Sequence, residues 1–192
     1  MDEQIIEKAI AYIAELFSEN SGGHDVEHTL RVYHNALLIV EAETDCDKQI
    51  VALAALLHDA DDHKLFATKD NANARKFLSG NRIPEEMTDR ICAVINAVSF
   101  SKNRDHVPES IEAKVVQDAD RLDAMGAVGV ARTFAYGGEH GRPMSESVQH
   151  FHDKLLLLKD LMNTETGRRM AESRHAFLEA FLKEYREEIC RE

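Results

Sequence analysis

Five places in this sequence gather polar side chains that an apolar core does not need. They are His24-Asp25-Val26-Glu27-His28 with Arg31, His58-Asp59, Asp61-Asp62-His63-Lys64, Ser99 to Arg104, and Asp118-Ala119-Asp120-Arg121-Leu122-Asp123. The second is the most telling. His58 and Asp59 close a run, Ile50 to Leu57, that holds no other ionisable group. Burying an imidazole and a carboxylate without partners is costly. A divalent cation compensates both and keeps them in their ligand forms; the plainer reading is an ordinary polar helix end. His28 lies one segment earlier and Asp118, Asp120 and Asp123 a few segments later. Two imidazoles and two carboxylates drawn from three helices would make a mixed nitrogen and oxygen site. Such donors suit Mn²⁺, Fe²⁺, Co²⁺, Ni²⁺ or Mg²⁺ better than a thiolate-loving structural zinc. The cysteines Cys46, Cys92 and Cys190 are too scattered for a disulfide framework or a thiolate site.

The elements that must carry these residues read as helices. Ile5, Ile6, Ala9, Ile13, Leu16 and Phe17 recur at three-to-four spacing and stop before Ser21-Gly22-Gly23. A second helix is expected from about Asp25 to Ala42, and a third from Asp47 to His58 that is apolar nearly all round and so central. Others are expected at about 69–79, 84–98, 109–120 and 122–135, then a Gly/Pro-rich loop over 136–144 and two long helices over 145–163 and 165–189. Thr164 marks a cap between the last two. Gly126 and Gly129 read as close-packing positions without a catalytic role. No alternating β-branched run is long enough to be a strand. The pattern predicts one all-α domain over residues 1–192.

Composition bounds the partners. The 192 residues carry 35 acidic against 23 basic side chains, a net charge of −12, with 44% hydrophobic and 30% charged residues. That sign disfavours nucleic acid and anionic membrane as partners but leaves room for a small anion where basic groups converge. Apolar stretches fall well short of the roughly 18 residues of a spanning helix. The first residues resemble no secretory leader, and a reducing cytoplasm is the expected compartment. The long terminal helices would suit a homodimer.

With those motifs in view, the sequence resembles the HD-domain superfamily of metal-dependent phosphohydrolases. The H…HD…D pattern falls on His28, His58-Asp59 and Asp120 within Ala-Asp-Arg-Leu. Gly23 to Val32, Ala54 to Asp59, Gln117 to Ala124, Arg132-Thr133-Phe134-Ala135-Tyr136-Gly137-Gly138 and the stretch from Lys154 to Thr166 all look like one bacterial branch. The resemblance implies nucleotide phosphohydrolases, some of which split nucleoside triphosphates into monophosphate and pyrophosphate. It implies one divalent ion, manganese first, with Mg²⁺, Ni²⁺, Co²⁺, Fe²⁺ or Zn²⁺ as alternatives, held by His28, His58, Asp59 and Asp120. Asp118 is the fallback for Asp120. The further histidines of two-metal subgroups are missing, since only His63 and His106 are candidates and neither sits in such a pattern.

Each remaining polar residue has a second reading. His24 could protonate a leaving oxygen, and Asp25 is either a catalytic acid or a helix cap. Asp62 and Lys64 follow the metal pair closely, Asp62 as a catalytic carboxylate and Lys64 as a phosphate clamp. Arg31, Lys102 and Arg104 are candidate substrate contacts, because an acidic site needs cations before it accepts an anion. Three rival functions remain: a phosphomonoesterase on the same site, a non-catalytic metal-stabilised nucleotide-binding domain, and a zinc peptidase. The peptidase reading rests on the H-x-x-E-H spacing of His24 to His28, a short pattern with a high false-positive risk.

Overall fold

The computed structural model describes residues 2–18, 25–63, 65–99, 103 and 106–189. Its α-helices are α1 (Glu3–Leu16), α2 (Val26–Val40), α3 (Lys48–Leu57), α4 (Ala72–Gly80), α5 (Glu85–Val98), α6 (Ile111–Asp123), α7 (Gly126–Glu139), α8 (Met144–Asp153) and α9 (Glu165–Ile189). A 3₁₀ segment, Leu155–Leu161, lies between the last two. No strand occurs among the described residues, so the fold is all-α, as the periodicity predicts. None of these helices is long and apolar enough to cross a membrane.

The chain packs as two compact units, residues 1–120 and 121–192. In the first, α3 is the core. Val51 to Leu57 have no exposed surface at all, because α1, α2 and α5 pack around that helix. Side chains that bury this completely each stabilise the fold by about 1.5–3 kcal/mol when Val- or Leu-sized. Aspartates start three of the helices. Asp2 accepts from Gln4 N at 3.0 Å, Asp25 from His28 N at 2.7 Å, and Asp47 from Gln49 N and Ile50 N at 3.0 and 3.2 Å. Each pairs an orphan N–H with a negative charge at the positive end of a helix.

In the second unit, α7, α8 and the 3₁₀ segment pack together, and α9 packs on α7 and the 3₁₀ segment. Phe134, Phe151 and Phe181 cluster with ring centroids 5.6–6.0 Å apart. Thr164 caps α9, its hydroxyl accepting from Gly167 N at 3.0 Å, as expected.

Three boundaries differ from the sequence expectation. The helices expected at 109–120 and 122–135 are shifted, because the chain turns at Ala124-Met125 and Gly126 takes φ +67. The Gly-rich loop expected over 136–144 is shorter, since α7 continues to Glu139. Gly137 is needed there as a small residue: a Cβ on it would lie 2.4 Å from Ser147 Oγ. The long helix expected over 145–163 ends at Asp153 and becomes 3₁₀. Leu155 and Leu158 are buried while Leu157 is 39% exposed. That spacing of three matches the 3₁₀ repeat, so one face can bury both.

Gly129 is tighter than Gly137. A Cβ added there would lie 2.3 Å from the Ala124 carbonyl oxygen, which is backbone and cannot swing aside. Gly129→Ala is expected to lower the urea-unfolding midpoint, at a cost of about 1–3 kcal/mol. An unchanged midpoint would mean that the α6–α7 turn yields easily.

Candidate metal centre

Each candidate ligand sits where local structure fixes it. His28 is the third residue of α2, and the Asp25 carboxylate that starts the helix bonds directly to its N–H. The ring that follows is buried, 2% exposed as a residue. His58 closes α3 and Asp59 follows it, so both stand where the helix ladder runs out against the core. Asp120 lies in the last turn of α6. Asn35 joins α2 to α6 by donating from Nδ2 to the Ala119 carbonyl at 3.3 Å. Asn35 is not among the residues that the sequence pattern singles out. Its signal is positional: it stands two turns after His28, on the same helix face.

These elements bring four side chains together. His28 Nε2 and His58 Nε2 are 3.3 Å apart. Asp59 Oδ2 is 3.4 Å from the first and 3.3 Å from the second. Asp120 Oδ1 is 3.5 Å from His28 Nε2 and 4.0 Å from His58 Nε2. His28, His58 and Asp120 each offer one donor atom, all within 4.8 Å of one another. Asp118 is two residues from Asp120, about 200° around the helix, and is wholly buried. The register therefore favours Asp120.

The donor chemistry fits a divalent cation. His58 Nδ1 donates to the Ala55 carbonyl at 2.8 Å, which leaves the Nε2 lone pair facing His28. A backbone bond of this kind orients metal-ligating imidazoles and fixes their tautomer. Two imidazole edges and two carboxylates in one pocket need a proton or a cation between them. Burial pushes the His58 pKa down, but the Asp59 charge, its hydrogen bond, the Asp120 charge and the Ala55 carbonyl outweigh it and raise the value to about 9. A divalent ion on the same atoms must displace that proton.

The other candidates fall differently. His24, Lys64, Lys102 and Arg104 lie outside the described residues. Asp25 serves as the α2 cap. Asp62 is mostly buried, with its carboxylate 3.9 Å from His63 Nδ1 and its backbone N–H bonded to the Asp59 carbonyl. Arg31 is half-buried, with Nη1 3.6 Å from Glu27 Oε2 one turn earlier. Glu27 is 86% exposed at its side chain, so the base a peptidase would need at this position faces solvent. Asp123 is buried and pairs with Arg132. His63 and His106 are exposed.

A family model described as the HD domain matches residues 25–125, a span that contains His28, His58, Asp59 and Asp120. The chain belongs to the HD domain family. Within that family it is 40% identical to the YpgQ protein of Bacillus subtilis, over 95% of this chain and 93% of the relative. A crystal structure of YpgQ in complex with ADP superposes with a TM-score of 0.81 at 38% identity, covering 95% of this chain and 98% of that one. An HD-superfamily hydrolase from Bacillus thuringiensis superposes with a TM-score of 0.80 at 36% identity, over 99% of both chains.

The HD histidine makes stability and metal binding depend on pH with opposite signs. The His58 pKa rises on folding from an ordinary 6.5 to about 9. Its protonation therefore stabilises the metal-free protein fully below about 6.5, and that contribution is lost as pH rises through about 9. A divalent cation held there would compete with the same proton, so Mn²⁺ affinity is expected to climb over this interval, by up to about 10-fold per pH unit. Calorimetric Mn²⁺ titrations across this range test the point. An affinity that stays flat, or falls with pH, would rule out competition at His58.

Proposed function

We propose that this chain is a metal-dependent phosphohydrolase that acts on nucleotides, with nucleoside or deoxynucleoside triphosphates split into monophosphate and pyrophosphate. The observation that carries the reading is that His28, His58 and Asp120 offer donor atoms within 4.8 Å of one another, with Asp59 Oδ2 3.4 and 3.3 Å from the two imidazole Nε2 atoms. The HD-superfamily hydrolase of Bacillus thuringiensis and the ADP complex of YpgQ support, by similarity, hydrolysis and nucleotide binding.

These four residues would hold one divalent ion, with manganese as the first choice. When bound, such an ion supplies Lewis acidity toward a phosphoryl oxygen and lowers the pKa of water at the site. The chain does the rest. His58 is kept with Nδ1–H on Ala55, so only its Nε2 faces the ligand. Asp59 and Asp120 provide carboxylate oxygens able to receive a proton from the attacking water. Arg31, half-buried one turn after His28, would meet phosphate on that face of α2, while Asp62 stands beside the Asp59 turn. The roles proposed for His24 as proton donor, and for Lys64, Lys102 and Arg104 as phosphate cations, rest on sequence position and on the acidity of the site.

Purified protein with Mn²⁺ and a panel of nucleotides, with products resolved by anion-exchange chromatography, tests this. Pyrophosphate release is expected, and His58→Ala or Asp59→Ala should lower turnover by roughly 100-fold or more while keeping helical content. Inorganic phosphate as the sole product would make the protein a phosphomonoesterase. No chelator-sensitive product at all would favour a nucleotide-binding domain without catalysis.

A further inference from the structure

The ligands His58 and Asp59 lie beyond the last residue of α3, so the α3 ladder alone does not hold the chain that carries them. Turn bonds from Ala60 N to the Leu57 carbonyl at 3.0 Å and from Asp62 N to the Asp59 carbonyl at 3.1 Å continue it, and a second set of bonds comes from α4. The Asp61 carboxylate accepts from Asn73 N at 2.9 Å through Oδ1 and from Ala74 N at 3.1 Å through Oδ2. The Asn73 amide in turn donates from Nδ2 to the Ala60 carbonyl at 2.8 Å. Three hydrogen bonds thus staple the two residues after the His-Asp pair to the first turn of α4.

The first turn of α4 is built around this contact. Asn71 occupies its N-cap position in the left-handed region, at φ 57, and its side chain makes no capping bond. Asp70 before it is left-handed as well, at φ 55. Two successive non-glycine residues in that region are unusual and persist only where surrounding contacts enforce them. The carboxylate that caps α4 is Asp61, 12 and 13 residues upstream of the N–H groups it accepts from. The staple is also anchored on α1, because the Tyr12 hydroxyl donates to the Asn73 carbonyl at 3.0 Å and the Tyr12 ring stacks on Phe77 at 5.0 Å. Burial first, and then the charges of Asp61 and Glu15, raise the Tyr12 hydroxyl pKa above its ordinary value.

We infer that Asp61 and Asn73 are positioning residues for the metal centre, setting where His58 and Asp59 stand by fixing Ala60 and Asp61 against α4. This rests on the metal reading of the His28, His58, Asp59 and Asp120 cluster. Neither residue donates to the cation. Each acts through backbone one or two residues from a ligand, in the manner of outer partners that orient inner ones.

Mn²⁺ titration of the full chain by calorimetry, read beside thermal unfolding, tests the inference. Asn73→Ala removes the bond to Ala60 without changing any charge, so a weaker cation site there cannot arise from the local field. Affinity is expected to fall roughly 10-fold or more, in a variant that keeps its helical circular dichroism. Asp61→Asn should lose affinity too, because an amide offers one acceptor oxygen and turns its NH₂ toward a second donor. Tyr12→Phe supplies the contrast. It cuts only the outer anchor and should lower the melting temperature while leaving Mn²⁺ affinity within about twofold of wild type. In the metal-free protein, the imidazole Nδ1–H resonance of His58 should move in Asn73→Ala and stay in Tyr12→Phe. Wild-type affinity and an unmoved resonance in both Asn73→Ala and Asp61→Asn would reduce the staple to a helix cap and overturn the inference. A His58→Ala variant that binds Mn²⁺ as wild type does would instead overturn the metal reading beneath it.

Discussion

Two imidazole edges held 3.3 Å apart, with two carboxylates against them, are a constraint that the protein has to satisfy at all times. With Nδ1–H committed to Ala55, a neutral His58 turns its Nε2 lone pair toward the Asp59 and Asp120 carboxylates. A proton on His58 relieves the conflict, and a divalent cation would relieve it as well. The rest of the first unit follows from holding this cluster together. From Ile50 to Leu57 the helix α3 is wholly apolar and buried, and the His58 that follows it meets His28 of α2 and Asp120 of α6. Its Ala55 carbonyl accepts from Nδ1 and so decides which His58 nitrogen faces inward.

Precision at such a site comes from the bonds around the ligands. Asp25 sets the start of α2 and therefore the height of His28. Asn35 ties α2 to the backbone just before Asp120. Asp61 and Asn73 hold the turn after Asp59. All three are polar contacts to backbone, where a short side chain finds an acceptor or donor whose position is fixed by a helix.

Much of this was legible beforehand. The three-to-four recurrence of Ile and Leu residues marks α1 and α2 to within a few residues, since burial of one helix face imposes that period. Asp25, Asp47 and Thr164 mark helix starts because a short side-chain oxygen can reach a free N–H only there. His58 and Asp59 stand out as ionisable residues at the end of an apolar run. Less was legible around residues 136–163. Two adjacent glycines there read as a loop, yet they continue α7, and Gly137 sits where Ser147 of α8 fills the space that a side chain would occupy. The leucines at 155–158 suit an α-helix by propensity, and only their burial pattern makes the 3₁₀ form preferable.

Residue types and their local spacing therefore determined the helical class and the caps and singled out candidate ligands, because hydrogen-bond capacity and apolar period act over a few residues. They could not decide between Asp118 and Asp120, the orientation of the His58 ring, or the use of Asp61 and Asn73. Those depend on which faces of α2, α3, α4 and α6 meet, and a helix face is chosen by packing partners up to 84 residues distant, as between Asn35 and Ala119. The sequence alone supplied the donors. Only tertiary packing could aim them at one point.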